Sequence, residues 1–304
     1  MTRKMKKATS AAEAAKILAH ARRKGLSIGL VPTMGALHEG HISLVKMSLE
    51  RSDFTVVSLF VNPKQFGEGE DLDKYPRTEE EDARILEELG CDLLFMPERD
   101  ALYSDLDSTT VSISSLGDHL CGASRPGHFD GVLIVVAKLF NIIDPDFAFF
   151  GQKDAQQAVI IQRMAADLDF NVRIFLGPTV REEDGLALSS RNRYLTVSER
   201  NNAPAMRRGL LEAAEAIRNG ERNATILKDI VTASMTGGGF EIDYVEIVDG
   251  GTLQPVPSID GTILLAAAGK MGTTRLIDNM ALKVTPDGAA ETLLEFPEWS
   301  RYDR

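Results

Sequence analysis

The chain has 304 residues, 43% of them hydrophobic, with a formal net charge of -11 at pH 7. That length buries a sizeable core and accommodates one large or two modest domains. The acidity argues against broad electrostatic binding to nucleic acid or an anionic membrane surface, so, a local basic pocket aside, the expected partners are small molecules.

The basic start, Met1 to Lys7, is followed by no apolar core and is not read as a signal peptide. Ser10 with Glu13 makes a capping-box pattern, and Ala14, Ile17, Leu18 and Ala21 share one face, which predicts a helix ending at Gly25. Leu26 to Val31 predicts a strand, Pro32 to His41 a glycine turn, and Ile42, Leu44, Val45, Met47 and Leu49 a helix to about Glu50. Phe54 to Val61 has the look of a buried parallel strand ending in Asn62-Pro63. Thr78 with Glu81 suggests a second capping box, opening an acidic helix to Gly90, and Asp92 to Met96 a third strand. His128 to Ile143 predicts a helix; its apolar stretch carries Lys138 and is shorter than the roughly 20 residues of a membrane span. A strand at Phe147 to Phe150, a helix at Asp154 to Leu168 and a strand at Phe170 to Leu176 complete an α/β alternation. The expectation is a Rossmann-like, mostly parallel sheet domain over residues 1–179.

Beyond Val180 the pattern changes. Thr196 and Glu199 cap a helical region through Asn219, and a second helical stretch runs from Ala224 to Met235. Alternating runs at 240–248, 262–268 and 274–284 predict a small antiparallel sheet. Residues 180–304 therefore read as a smaller C-terminal α+β domain closing over the site. The triple glycine at 237–239 and Gly269 to Thr273 lack the Lys-Ser or Lys-Thr of a phosphate loop and read as turns. The tail from Asp287 carries no pattern. Cys91 and Cys121 are too few for a disulfide framework and suit reduced packing residues of a cytoplasmic protein.

In an open parallel sheet ligands sit beyond the carboxyl ends of the strands, where Pro32, Asn62, Gly151 and Gly177 fall. The Pro32–His41 junction should present unpaired backbone N–H groups and the positive end of a helix dipole, so phosphate is its expected ligand. It is not a P-loop, because His41 and Ile42 stand where that motif needs Lys and Ser or Thr. Nor is it a zinc helix: the spacing of His38 and His41 differs from His-Glu-x-x-His, and a third ligand is missing. Four further polar clusters carry chemistry. Phe60 to Phe66 offers an amide side chain just past a strand end, suited to neutral hydroxyl and carbonyl groups. Arg125 to Gly131 opens a helix and is open to a purely structural reading. Phe150 to Gln157 places Lys153 at a strand-to-helix junction, where a lysine meets phosphate as a point charge. Arg181 to Asn192 offers hydroxyls and a guanidinium at the domain junction.

His-x-Gly-His after the first strand resembles the signature of the nucleotidyltransferase superfamily, whose members attack the α-phosphate of a nucleoside triphosphate. Seven blocks, Pro32–His41, Phe60–Phe66, Tyr75–Arg77, Cys121–Phe129, Phe150–Gln157, Pro178–Tyr194 and Thr274–Asn279, resemble those of the pantothenate synthetase (pantoate–β-alanine ligase) family in order and spacing. The resemblance implies ATP-dependent joining of pantoate to β-alanine through a pantoyl-adenylate, releasing AMP and pyrophosphate. It implies that Met34, Gly35, Ala36, Leu37, His38, Glu39, Gly40 and His41 line the ATP site, with His38 and His41 catalytic and His41 the proton donor. Gly151, Gln152, Lys153, Asp154, Val180, Leu188, Ser189, Ser190 and Arg191 would complete that site, and Gln65 and Gln157 would hold pantoate. ATP as substrate and Mg2+ are implied; the ion should keep mostly water and phosphate ligands, and no protein metal ligand is assigned. Glu81 and Asp82 could approach it through water but suit better the role of first-turn acids favoured by the helix dipole. A cytoplasmic homodimer is implied. This chain departs from the family pattern at Ile134, Ala155 and Ala101 to Ser104, which leaves pocket shape and affinity open. Two other readings remain to be weighed: a nucleotidyltransferase that adenylylates a phosphorylated precursor, and a catalytically silent nucleotide-binding protein.

Overall fold

In the computed structural model, which describes residues 4–256 and 258–296, the β-α alternation closes into one parallel sheet. Residues 1–3 of the basic start and 297–304 of the tail lie outside the described residues. The strands are β1 (Lys6–Ala8), β2 (Ile28–Thr33), β3 (Phe54–Leu59), β4 (Leu93–Phe95), β5 (Phe147–Gly151) and β6 (Arg173–Gly177), in the order β1-β4-β3-β2-β5-β6. Every neighbouring pair is parallel. Because strand side chains alternate, Leu30, Val56, Phe95 and Ala148 join one apolar cluster while Val31, Val57, Leu94 and Phe149 join another. The first is covered by α1 (Ala11–Arg23), α6 (His128–Ile143) and α7 (Ala155–Asp167), the second by α2 (Glu39–Arg51) and α3 (Glu79–Leu89). Two short helical turns, α4 (Arg99–Leu102) and α5 (Cys121–Ser124), lie in the long connection from β4 to α6.

The chain leaves β2 toward β3 and β4 on one side and later returns to add β5 and β6 on the other. Strands β2 and β5 are therefore neighbours whose connections run in opposite directions, with Gly29 opposite Phe147 and Leu30 opposite Ala148. Such a reversal opens a crevice at the strands' carboxyl ends. The turn after β2 carries the two histidines and the turn after β5 carries Lys153.

The second half supplies α8 (Val197–Asn202), α9 (Ala205–Arg218), α10 (Ala224–Gly237) and an antiparallel sheet of β7 (Glu241–Asp249), β8 (Gly261–Met271), β9 (Thr274–Thr285) and β10 (Gly288–Thr292). On β8, Ile263, Leu265 and Ala267 pack with α9 and α10, whereas Leu264 and Ala266 join the cluster shared with α6 and α7. One apolar core thus runs from the first sheet to the second.

Several local expectations are corrected. The capping box at Thr196 and Glu199 forms, but Pro204, lacking an N–H, splits the expected single helical region into α8 and α9. At Ser10 only half a box forms, since the Glu13 carboxylate accepts from Thr9 N instead of Ser10 N. At Thr78 none forms: the hydroxyl donates to Asp82 Oδ2 at 3.1 Å. Phe170 lies outside β6 and packs edge-on against Phe140, with centroids 5.4 Å apart. Strand β1 is too short to show a period in the sequence, and β10 forms in the tail by pairing with β9. Among the described residues no helix is long and apolar enough to cross a membrane.

Candidate active site

The turn between β2 and α2 is shaped by two successive residues in the left-handed region, Gly35 at φ +86 and Ala36 at φ +51. The φ of Gly35 favours glycine, and a Cβ there would sit 2.8 Å from Leu59 Cδ2, which would have to shift. His38 then caps α2. Its Nδ1 accepts from Gly40 N at 3.1 Å, and its own N–H donates to His41 Nδ1 at 3.4 Å, a reciprocal box made by two imidazoles. Since both Nδ1 atoms accept, each neutral ring carries its proton on Nε2. The ring centroids are 4.1 Å apart at an interplanar angle of 32°. Burial pushes His38 down to about 4 and His41 down to about 3; the charge on Lys153 adds to both, and His38 adds to His41. At neutral pH the pair is therefore two uncharged Nε2–H donors beside an ammonium.

The expected row of unpaired backbone N–H groups is not there. Gly35 N donates to Thr33 Oγ1 at 3.3 Å, and Ala36 N and Leu37 N to the two oxygens of Asp82, both at 2.9 Å. His38 N and Gly40 N are used by the imidazoles, and His41 N donates to His38 O at 2.8 Å. Six backbone N–H groups of the turn are thus satisfied within the protein itself. Asp82 is 1% exposed and its carboxylate also takes the Thr78 hydroxyl, so it is not open to a metal ion; Glu81 stays exposed on α3.

After β5 the chain makes a short turn, Gln152–Asp154, that is fixed from the second sheet. Asn279 Nδ2 donates to Gln152 O at 3.0 Å and to Lys153 O at 2.9 Å. The Gln152 side chain, 5% exposed, is turned into this junction, where its Oε1 accepts from Leu294 N at 3.2 Å; it braces the turn from behind. Next to Asn279, Asp278 receives Arg181 in a two-pronged ion pair at 2.6 and 2.9 Å. The Arg181 segment folds back as a small hairpin in which Leu188 N donates to Val180 O at 3.0 Å. Asp278 and Asn279 thus tie the loops that follow β5 and β6 to β9.

Between the two sheets lies a cavity of about 900 Å3. Of the residues expected from sequence, Lys153, Asp154, Gln157, Ser189 and Arg191 line it. The imidazoles do not; Lys153 stands on the cavity wall, and its charge acts on both rings. Gly151, Val180 and Leu188 form the bases of the surrounding turns, and Ser190 is buried with its hydroxyl donating to Tyr75 OH at 3.4 Å. Arg191 is partly engaged: Nε and Nη2 hold Asp71, both at 2.8 Å, and Nη1 takes no part in that pair. Burial opposes the Asp71 charge, yet the Arg191 guanidinium holds that carboxyl below its usual range.

The glutamines expected for pantoate are placed differently from one another. Gln157 lines the cavity, whereas the Gln65 amide donates to Met34 Sδ at 3.2 Å and accepts from Asn62 Nδ2 at 3.0 Å. The Gln65 carbonyl accepts from His128 Nδ1 at 2.8 Å, and His128 is on the cavity wall. Here the tautomer is opposite to that of the paired histidines, because Arg125 Nη1 donates to His128 Nε2 at 3.1 Å. Burial, and then the Arg125 charge, push His128 down to about 4.

Asp82, read from the sequence as a first-turn acid, and Arg125, Asn62 and Asn279, given no part in the site there, prove central. Arg125 is clamped by Glu70 at 2.6 Å through both Nε and Nη2. Asn62, 1% exposed, donates to Gly131 O at 2.9 Å and accepts from Tyr103 OH at 2.8 Å. Gly131 has to be glycine, since any Cβ would overlap the Lys64 carbonyl. Tyr103 lies in the 101–104 segment and is linked to Gln65 through Asn62. Ala155, 3% exposed, lines the cavity beside Gln157, while Ile134 only packs on the core.

The family described as pantoate-beta-alanine ligase matches residues 6–281. A pantothenate synthetase of Acetivibrio thermocellus is 51% identical over 261 residues, covering 86% of this chain and 93% of its own. Pantothenate synthetase from Thermus thermophilus superposes with a TM-score of 0.85 at 41% identity, covering 90% of this chain and 98% of its own. A pantoate-beta-alanine ligase from Francisella tularensis, solved in complex with beta-gamma ATP and β-alanine, superposes with a TM-score of 0.75 at 33% identity over 90% of this chain and 97% of its own.

Proposed function

The chain belongs to the pantoate–β-alanine ligase family, and on that basis we propose that it condenses pantoate with β-alanine, using ATP, through a pantoyl-adenylate. A carboxylate does not react with an amine at neutral pH until one of its oxygens becomes a leaving group. In the first step a pantoate carboxylate oxygen attacks the α-phosphorus and pyrophosphate departs. In the second the β-alanine amine attacks the acyl carbon, AMP departs with the bonding pair, and the amine's proton is released.

The observation that carries this reading is the pair of neutral Nε2–H donors, on rings 4.1 Å apart beside Lys153, at the reversal point of the sheet. Such donors stabilise the negative charge that builds on the α-phosphate, and a positioned donor of this kind contributes about 3 kcal/mol to the transition state. Lys153 and the remaining Nη1 of Arg191 hold the outgoing pyrophosphate. Gln157, with Gln65 behind it, orients pantoate through its hydroxyls and carboxylate. The part of the chain from residue 180 onward acts as a second domain closing over the nucleotide, with Asn279 as its fixed contact to the turn after β5.

Magnesium enters as part of the ATP substrate and neutralises phosphate charge. The ion would be held mainly through phosphate and water. The assembly is a cytoplasmic homodimer, in keeping with the buried free thiols Cys91 and Cys121; light scattering on the purified chain tests the dimer. Pyrophosphate exchange into ATP should require pantoate, and AMP should appear in step with the amide product. An adenylylated compound released as the end product would overturn the reading.

A further inference from the structure

We propose that Asp82 is a positioning residue for adenylation: its carboxylate is an internal anion that fills the N–H nest of the histidine turn and so fixes where His38 and His41 aim their Nε2–H donors. The inference rests on the adenylation reading above. Successive residues with positive φ, Gly35 and Ala36, turn the next two backbone N–H groups toward one point, an arrangement that binds an anion. In this protein that point is occupied from within. Ala36 N and Leu37 N each donate to one oxygen of Asp82 at 2.9 Å, and the Thr78 hydroxyl adds a third bond at 3.1 Å. Asp82 is 1% exposed, so substrate phosphate has no route to these donors.

The consequence is a division of labour. The backbone nest, which in a phosphate loop would grip the nucleotide, is used to set the turn, and the residue that directly follows it, His38, begins the imidazole box. Ala36 holds a left-handed conformation that a residue with a Cβ adopts reluctantly, and the Asp82 bond to its own N–H keeps it there. Asp82 comes from α3, so the aim of both imidazoles depends on the docking of that helix against β3. A hollow of about 200 Å3 lined by Met34, Gly35 and Thr78 borders the same bonds. Removing the Asp82 side chain would open onto it, and a small carboxylate could then enter.

The test uses the full-length protein with pantoate-dependent pyrophosphate exchange as the activity. Asp82→Ala should lower kcat about 100-fold, as expected for donors displaced by about an ångström, with a much smaller change in KM for ATP. Added formate should restore activity several-fold, and equal chloride should not. Asp82→Asn keeps one acceptor but turns an amide N–H2 toward the other donor, so it should lose activity without regaining any from formate. Thr78→Val keeps both backbone bonds and should stay near the parent. Nitrogen-15 shifts of His38 and His41 should show protons on Nε2 in the parent and a changed pattern in Asp82→Asn. A purely structural Asp82 would lower the melting temperature yet leave kcat of the folded enzyme and the imidazole shifts unchanged. Folded Asp82→Asn with kcat within twofold of the parent overturns the proposal, and this variant carries the test if Asp82→Ala does not fold. If the parent itself shows no exchange, the adenylation reading fails, while the imidazole shifts still decide whether Asp82 sets the turn.

Discussion

Asn279 offers the sharpest check on how the two sheets cooperate. It is 6% exposed and its amide donates to the carbonyls of Gln152 and Lys153 at 3.0 and 2.9 Å. Asn279→Ala strands both acceptors in a buried junction. At about 1–3 kcal/mol for each stranded acceptor, and with water recovering part of it, the expected loss of stability is about 3 kcal/mol. For a chain of this size, at roughly 2–4 °C per kcal/mol, that lowers the melting temperature by about 6–12 °C. The kinetic consequence is separate. Lys153 is held through its carbonyl, so releasing the turn moves its ammonium relative to the imidazoles, and a shift of about an ångström costs on the order of 100-fold in kcat/KM for ATP. Asn279→Asp keeps the shape but presents only acceptors to two carbonyls, beside the carboxylate of Asp278, and should be worse than alanine on both counts. Thermal denaturation followed by pyrophosphate exchange well below the melting temperature gives both quantities. A melting temperature within about 1 °C of the parent, or a lowered one with kcat/KM for ATP unchanged, refutes the assignment of Asn279 as the anchor of Lys153.

Further outcomes follow from the same geometry. His41→Ala should abolish exchange while leaving the far-ultraviolet circular dichroism unchanged; retained turnover would remove the imidazole pair from the mechanism. Gln157→Ala should raise KM for pantoate about tenfold and leave KM for ATP nearly alone, the loss of one substrate hydrogen bond; an effect on ATP instead would misplace pantoate. Arg191→Lys should raise KM for ATP, because an ammonium cannot hold Asp71 at two points and also present a third donor to phosphate; an unchanged KM would take Arg191 off the polyphosphate. Stability should fall with acid. His38, His41 and His128 are pushed down to about 4, 3 and 4, so between pH 6.5 and about 4 the unfolded chain binds protons that the folded one refuses. Their contribution is full above pH 6.5 and is lost as pH falls, at up to about 1.4 kcal/mol per pH unit for each ring and less where water reaches it. Urea unfolding at pH 7.5 and 5.0 measures this, and a flat or inverted dependence contradicts neutral buried imidazoles.

Much of the architecture is already written in short-range periodicity. The alternation of strands and helices from Leu26 to Gly177 was legible because a buried strand is a continuous apolar run and a helix repeats every three to four residues. The histidine turn and Lys153 were legible because both follow strand ends, where a parallel sheet places its ligands. What no local pattern contained was the destination of each polar atom. The turn's N–H groups looked available for phosphate, yet Asp82, 45 and 46 residues farther on, takes two of them. Thr78 looked like a cap and serves Asp82; Asn279 looked like part of a strand and holds a turn 126 and 127 residues earlier. Arg125 and Arg191 are each clamped by a carboxylate from the loop before α3, Glu70 and Asp71, pairings that no local pattern shows. The physical reason is that secondary structure is chosen by neighbours along the chain, whereas a buried donor or acceptor is satisfied by whichever partner packing brings within about 3 Å, and that choice exists only once the chain has folded.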